Sequence, residues 1–120
     1  MSRIMTIDDS LMMRLLLLQT LSSAGHQVTE AKDGSEALTL ARGAAIDLFI
    51  CDIIMPGMDG IALIKELRAL EQYRHTPILV LTTEIDPQLK TEARLAGANG
   101  WVGKPFDPER LLAAVRQVCG

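Results

Sequence analysis

The chain has 120 residues, of which 48% are hydrophobic and only 3% aromatic, and its net charge is −3. This length predicts one domain over residues 1–120 with an aliphatic core, and an acidic balance without a Lys/Arg cluster argues against direct nucleic-acid binding. The sequence has no signal-peptide pattern and no uncharged apolar run near the ~20 residues of a membrane span, so we expect a cytoplasmic protein without membrane insertion.

Short apolar runs alternate with longer helical patterns along the chain. In chain order, the pattern predicts a strand at 4–7, a helix at 10–24, a strand at 27–31, a helix at 33–44, a strand at 47–51, a helix at 60–72, a strand at 77–81, a helix at about 87–96, a strand at 100–102 and a helix at 108–118. The strands are rich in Ile, Leu and Val without polar alternation, which is typical of a sheet covered on both faces. A helix between successive strands then predicts a doubly wound, parallel α/β fold.

Capping residues support the predicted helix ends. Asp86 and Asp107 each precede a proline, so each carboxylate can cap free N–H groups while proline occupies the first helical position. Gly25 and Gly97 lie where the first and fourth helices should stop.

Polar side chains follow the predicted strands at their carboxyl ends. They are Asp8 and Asp9 after the first strand, Asp52 after the third, Thr82 at the fourth and Lys104 after the fifth. In a parallel sheet these ends share one edge, where ligands bind. Three crowded carboxylates repel one another, and a hard divalent cation such as Mg²⁺ compensates their charge through oxygen ligands.

This set of groups suits phosphoryl transfer. An Asp such as Asp52 can act as a nucleophile and form an aspartyl phosphate, and Mg²⁺ with Lys104 and Thr82 can stabilise the charge on the transferring group. Each feature can also be purely structural: Asp9 or Ser10 can simply cap the first helix, and Lys104 can be a solvated loop residue. The convergence of four strand ends on one edge favours the site.

The sequence resembles the receiver domains of two-component signalling, most closely the single-domain chemotaxis response regulators of CheY type. The matching segments are IDDSLMMR at 7–14, DIIMPGMDG at 52–60, LTTE at 81–84 and GANGWVGKPF at 97–106. The resemblance implies a flavodoxin-like, doubly wound sheet of five parallel strands in the order 2-1-3-4-5 with five helices. It also implies a response regulator that is not an enzyme toward external substrates and catalyses only its own phosphorylation and dephosphorylation.

The resemblance further implies roles for the acidic residues. Asp52 corresponds to the phosphoacceptor. Asp9 and Asp52 correspond to direct Mg²⁺ ligands, with Asp8 acting through water and Ile54 offering its backbone carbonyl. Ile54 and Glu84 flank the pocket at positions that tune water access.

A second group of residues resembles the family's switch. Lys104 corresponds to the phosphate-pairing lysine, and Pro105 after it is cis in the family. Thr82 corresponds to a hydroxyl that moves toward the phosphoryl group, and Trp101 to the aromatic residue that follows it. Gly103 stands where the family usually has a bulkier apolar residue. The expected output is a change in the surface formed by the fourth helix, fifth strand and fifth helix.

The first predicted helix is unusually apolar and carries two leucine-rich stripes. One, expected in the core, comprises Met13, Leu16, Leu17 and Leu21; the other, pointing away, comprises Leu11, Leu15 and Leu18. In the family, the second stripe lies where histidine-phosphotransfer helices dock, and an exposed apolar stripe suits helix docking. The alternative is one broad apolar face that spreads into the core.

The expected partners are a histidine kinase or histidine-phosphotransfer domain and an output protein such as a flagellar motor switch component. We expect no output domain beyond residue 120, and a phosphorelay intermediate, a phosphate sink or the receiver of a transcriptional regulator stay open as alternatives. A haloacid-dehalogenase-type phosphatase would have an acidic residue two positions after the nucleophile, where this chain has Ile54. A flavin-binding module would have a hydroxyl- and glycine-rich loop instead of Asp8 and Asp9.

Overall fold

The computed structural model describes residues 1–55, 57–83 and 86–119. Its strands are β1 (Arg3–Ile7), β2 (Gln27–Ala31), β3 (Leu48–Cys51), β4 (Ile78–Thr82) and β5 (Gly100–Gly103). Its α-helices are α1 (Leu11–Ser23), α2 (Gly34–Arg42), α3 (Gly60–Ala69), α4 (Pro87–Ala96) and α5 (Pro108–Cys119), with a short 3₁₀ turn at Glu71–Tyr73.

The strands of the described residues form one parallel sheet of five strands in the order β2-β1-β3-β4-β5. This confirms the flavodoxin-like order that the resemblance implied. The order places β1 beside β3 and β3 beside β4, although helices separate them in the sequence. The residues that follow these central strands therefore meet at one edge of the sheet.

The core consists of two apolar layers on opposite faces of the sheet. Alternate strand residues point to opposite faces, so Met5 packs with α2, α3 and α4, whereas its neighbour Ile4 packs with α1 and α5. Both layers are largely aliphatic, as the composition predicted. In the described part of the chain, no helix combines the length and apolar character that a membrane crossing needs.

The predicted caps are present. Ser10 caps α1, its hydroxyl accepting from the Met13 N–H at 3.2 Å, and Asp86 caps α4 by accepting from the Gln88 N–H at 2.9 Å. The Asp107 carboxylate accepts from the Glu109 N–H at 3.0 Å at the start of α5. Gly97 ends α4 with a φ of 126°, a conformation that favours glycine.

The prediction that Leu16 belongs to the core was wrong, because 44% of its surface is exposed. Leu17 and Leu21 are buried and define the direction of the core, with Met13 partly buried beside them. Leu16 is rotated by about 100° from Leu17 around the helix axis. It therefore lies beyond the edge of the buried stripe.

The third helix is shorter than the predicted 60–72, because α3 ends at Ala69 and Leu70 is extended. Past this point, Tyr73 is buried and its hydroxyl lies within hydrogen-bond distance of the carbonyl oxygens of Ala41, at 2.7 Å, and Ala44, at 2.6 Å. These contacts draw the chain toward the end of α2 and favour a tighter turn. They join residues far apart in the sequence, which the helical period cannot reveal.

Arg68, in the last turn of α3, connects three segments. Its guanidinium donates to the carbonyls of Tyr73 at 2.8 Å, Thr76 at 2.5 Å and Gly97 at 2.7 Å, and to the side-chain oxygen of Asn99 at 2.9 Å. Burial lowers the pKa of this group. Because a planar guanidinium offers donors in several fixed directions, Arg68 fixes the C-terminal end of α4 to α3.

Candidate functional site

The strand register brings the predicted carboxylates together. Ile7 at the end of β1 pairs with Cys51 at the end of β3, and the Asp52 N–H donates to the Ile7 carbonyl at 3.0 Å. Asp8 and Asp52 therefore follow adjacent strands, and both are buried. With the exposed Asp9, they place carboxylate oxygens within 4.8 Å of one another.

Lys104 reaches this carboxylate cluster from the end of β5. Its Nζ lies 2.5 Å from Asp8 Oδ2 and 2.8 Å from Asp52 Oδ2. Its backbone N–H donates to the Thr82 carbonyl at 3.0 Å, which extends the pairing of β5 with β4. The alternative of a solvated loop lysine is therefore wrong.

The electrostatic environment keeps Lys104 charged. Burial alone would lower the pKa of the ammonium, but hydrogen bonds and charge attraction from Asp52 and Asp8 outweigh it. The pKa of Lys104 is consequently raised above its usual value. The site thus holds a fixed positive charge between two buried carboxylates.

Backbone N–H groups orient the other carboxylate oxygens. Ile54 donates its N–H to Asp52 Oδ1 at 3.0 Å, and Ser10 donates its N–H to Asp8 Oδ1 at 2.9 Å. Arg14 fixes the same loop by donating to the Asp8 carbonyl at 2.5 Å. Since Ser10 caps α1, the capping role that the sequence left open does not fall to Asp9.

The donor set fits a hard divalent cation. Among the described residues, the carboxylates of Asp8, Asp9 and Asp52 face the single ammonium of Lys104, which leaves an excess of negative charge. Asp8 Oδ2 is buried, and among the described residues the Lys104 ammonium is the group that lies against it. Oxygen ligands with uncompensated charge are what Mg²⁺ or a similar ion prefers.

The residues of the expected switch lie on one face of the sheet. Thr82 pairs with Gly103 and Val80 pairs with Trp101, and residues two apart on a strand share a face. Thr82 and Trp101 are therefore diagonal neighbours on the face covered by α4. Thr82 is buried, whereas Trp101 is partly exposed.

The remaining expectations for this region have mixed outcomes. The Lys104–Pro105 peptide is cis, as the resemblance implied. Ile54 is 53% exposed beside the carboxylate cluster. Glu84, expected to tune water access, lies outside the described residues.

Gly60 is a site residue whose importance sequence reasoning missed. A Cβ at this position would collide with Ile53 Cα and with the backbone oxygen of Asp52, and the Gly60 N–H donates to the Ile53 carbonyl at 3.0 Å. The absence of a side chain lets α3 begin against the loop that carries Asp52. A glycine directly after the capping residue Asp59 was the available signal, since glycine is unfavourable inside helices.

Cys51 lies beside the site but is inert. Its thiol donates to the Asp52 carbonyl at 3.1 Å and is fully buried. Burial and the nearby negative charges of Asp52 and Asp8 raise the pKa of Cys51. The thiol therefore stays protonated and does not act as a nucleophile.

Comparison with known proteins identifies the class. The family model of the response regulator receiver domain matches residues 4–116. Chemotaxis protein CheY of Pseudomonas aeruginosa is 36% identical, covering 97% of this chain and 94% of that protein. Protein PilH of the same species is 32% identical and covers 98% of both chains. The solved structure of chemotaxis protein CheY4 of Vibrio cholerae matches with a TM-score of 0.95 and 44% identity, covering 98% of both chains.

The chain belongs to the response regulator receiver domain family. The matched region runs from β1 into α5 and includes every strand end that contributes to the carboxylate cluster. The protein is therefore a receiver of two-component phosphorelay signalling, related to chemotaxis-type regulators.

Proposed function

We propose that this receiver accepts a phosphoryl group on Asp52 from a histidine kinase or histidine-phosphotransfer domain, with Mg²⁺ as the cofactor. The observation that supports this most strongly is the Lys104 ammonium, which contacts Asp8 and Asp52 together at 2.5 Å and 2.8 Å. A structural ion pair needs only one carboxylate. Here a partly buried cation and a surplus of carboxylates share one edge of the sheet, an arrangement that suits phosphoryl transfer.

In the proposed reaction, a carboxylate oxygen of Asp52 forms a bond to phosphorus. The bond from phosphorus to the donor nitrogen or oxygen breaks, and the leaving group keeps its electron pair. Lys104 neutralises charge on the transferred group, and the Ile54 N–H holds one Asp52 oxygen in place at 3.0 Å. These fixed groups supply positioning and electrostatic stabilisation.

The proposed metal ligands are Asp9 and Asp52 directly, Asp8 through water, and the backbone carbonyl of Ile54. A bound Mg²⁺ compensates the carboxylates and offers a positive contact to a phosphoryl oxygen. The exposure of Asp9 and the burial of Asp8 agree with an open side that admits the donor and a closed side toward the core. The same pocket admits water, so the receiver would catalyse its own dephosphorylation and no reaction of an external substrate.

The proposed switch runs from Asp52 through Thr82 to Trp101. Phosphorylation adds about −1.5 to −2 charges at this edge, and the Thr82 hydroxyl moves toward the new oxygens. Trp101, diagonal to Thr82 on the same face, then occupies the space left behind. The surface of α4, β5 and α5 changes between two packings as a result.

The decisive experiment is labelling with acetyl phosphate, followed by intact mass measurement. Wild type should gain about 80 Da, the mass of one phosphoryl group replacing hydrogen, only when Mg²⁺ is present. Asp52→Asn should gain nothing, while Asp47→Asn, which changes an exposed carboxylate far from the site, should label as wild type does. A Mg²⁺-binding, folded wild-type protein that stayed unlabelled would refute the proposal.

The docking site for the phosphodonor is proposed to include Leu11, Leu15 and Leu18 on α1. Leu11 and Leu15 are 61% and 49% exposed, and Leu18 is half-buried. The stripe begins directly after the loop that carries Asp8 and Asp9. A helix packed on it would lie next to the carboxylate cluster, where a phosphohistidine must arrive.

Leu15→Asp tests this docking site. Phosphotransfer from a phosphorylated histidine-phosphotransfer domain of a CheY-type pathway should slow about tenfold, since a charge enters an apolar contact. Acetyl phosphate, which needs no docking helix, should label the variant at the wild-type rate. Leu40→Asp on α2 is the control, and equal transfer rates in the two variants would contradict the docking site.

The output is proposed to be a partner protein in chemotaxis, such as a flagellar motor switch component. The support is that CheY and PilH match this chain over nearly their whole lengths. We propose the cytoplasm as the location of this signalling. A phosphorelay intermediate, a phosphate sink or a receiver of a transcriptional regulator would use the same site with a different output.

A further inference from the structure

Trp101 lines a surface groove together with Lys90 of α4. The groove has a volume of about 250 Å³ and lies between α4 and β5, lined by Lys90, Ala93, Arg94, Ala98, Asn99, Gly100 and Trp101. The Lys90 Nζ lies 5.4 Å from the centroid of the Trp101 ring. This distance is within the range in which an ammonium is attracted to the face of an indole.

The surroundings of Lys90 favour its contact with Trp101. In the described part of the chain, no carboxylate lies within ion-pair distance of Lys90, so the indole does not compete with an acidic partner. Trp101 also packs beside the buried Ala93 of α4. A small side chain there leaves the Trp101 ring accessible to Lys90 from the next turn of the helix.

Gly103 leaves space further along β5, toward Thr82. Gly103 lies two residues after Trp101 on the same face of β5 and pairs with Thr82. A Cβ at Gly103 would meet no heavy atom of the described residues within 4 Å, its chain neighbours aside. Among the described residues, no side chain at position 103 therefore stands between the indole and Thr82, where a bulkier residue would.

We propose that Lys90 is a positioning residue for Trp101: its ammonium holds the indole in the groove beside α4 and biases the receiver toward its unphosphorylated arrangement. This inference rests on the proposed switch from Thr82 to Trp101. A cation–π contact at an exposed site changes such an equilibrium about two- to fivefold. Lys90 thereby sets how readily the receiver responds.

The resting contact is tested with charged quenchers of fluorescence. Trp101 is the sole tryptophan of the chain, so its emission reports on this ring alone. The Lys90 ammonium should raise the ratio of iodide quenching to caesium quenching, because it attracts anions to the ring. Lys90→Met should lower this ratio without removing the contribution of Arg94, which also lines the groove. Lys90→Arg should retain the wild-type ratio, and Lys65→Met, which changes an exposed lysine of α3, should behave as wild type.

The bias is tested by titrating each variant with beryllofluoride in the presence of Mg²⁺ while following Trp101 emission. Lys90→Met should reach its half-maximal change in emission at a beryllofluoride concentration about two- to fivefold lower than wild type. Lys90→Arg should keep the wild-type midpoint. Gly103→Val, which fills the path of the ring, should need more beryllofluoride.

Each result of this pair of experiments is decisive. Unchanged quencher preference in Lys90→Met would overturn the contact, and an unchanged midpoint would overturn the bias. If wild type accepts a phosphoryl group but Trp101 emission does not respond, the positioning role fails while the proposed function stands. If wild type accepts none, the proposed function fails with the bias, and the quencher result alone still decides the resting contact.

Discussion

Thr6 lies within β1, and its hydroxyl oxygen is buried without a hydrogen-bond partner among the described residues. Its side chain shares a face with Ile4, which packs against α1 and α5. A buried hydroxyl that makes no hydrogen bond has lost its interaction with water without replacement. Thr6 is therefore a site at which the core is less stable than its packing allows.

Thr6→Val should stabilise the fold by about 1 kcal/mol, because valine keeps the shape and removes the unsatisfied hydroxyl. The free energy of unfolding, measured by urea denaturation, checks this. Thr6→Ala is the control, since it also removes a methyl group and should destabilise the fold. A loss of stability in Thr6→Val would show that the hydroxyl is bonded, for instance to a buried water.

The residues that form the site or support the fold divide by whether their role can be seen in the sequence. Asp8, Asp52 and Lys104 were predictable because charged residues that directly follow buried strands seldom serve packing alone. Gly60 and Arg68 were not, since their importance lies in backbone atoms that they approach. No side-chain pattern records that the Gly97 carbonyl, 29 residues from Arg68, needs a donor.

At the scale of elements, α1 shows what a helical period can and cannot give. The period placed Leu17 and Leu21 in the core correctly, but it did not give the width of the buried stripe. That width depends on how closely β2 and α5 approach the helix, which is a property of the packing. Leu16 was therefore assigned to the core although it is largely exposed.

The start of α3 shows how a helix can position a loop. Gly60 touches the backbone of Ile53 and Asp52 so closely that no side chain fits between them. The helix and the loop are consequently held as one unit. The orientation of the Asp52 carboxylate depends on this contact as well as on its hydrogen bond to Ile54.

Gly60→Ala should destabilise the fold by about 3 kcal/mol, since the added carbon meets backbone atoms that cannot rotate away. It should also slow labelling by acetyl phosphate under conditions in which the variant is fully folded. Gly43→Ala is the matched control and should be nearly neutral, because a Cβ at that position would meet no atom of the described residues within 4 Å beyond its chain neighbours. Equal stabilities of the two variants by urea denaturation would rule out the tight contact.

At the scale of the whole molecule, the order of strands is what makes a site out of dispersed residues. The alternation of apolar runs with helical patterns predicted a parallel α/β sheet, but it did not specify which strands are neighbours. The order came from the family resemblance and was confirmed by the sheet β2-β1-β3-β4-β5. Only this placement of β3 between β1 and β4 brings Asp52 between Asp8 and Thr82.

The same geometry predicts that Mg²⁺ stabilises the folded protein. The unfolded chain has no preformed carboxylate cluster, so Mg²⁺ at about 100 times its Kd should raise the free energy of unfolding by about 2.7 kcal/mol. Asp9→Asn should abolish most of this gain without disturbing the core, because Asp9 is exposed. Thermal unfolding with and without chelator checks the prediction, and Asp86→Asn is the control.

Because Lys104 follows β5, the carboxylate cluster gains its positive charge only when the sheet is fully paired. The ammonium and the Asp52 carboxylate that it contacts are 52 residues apart, and bringing them together requires β3, β4 and β5 to be paired. Such distant contacts form late in folding, because each closes a long loop. If the proposed phosphorylation of Asp52 is correct, a partly folded chain would have carboxylates that repel a phosphodonor and no cation to receive it, so only molecules that have completed their fold would be phosphorylated.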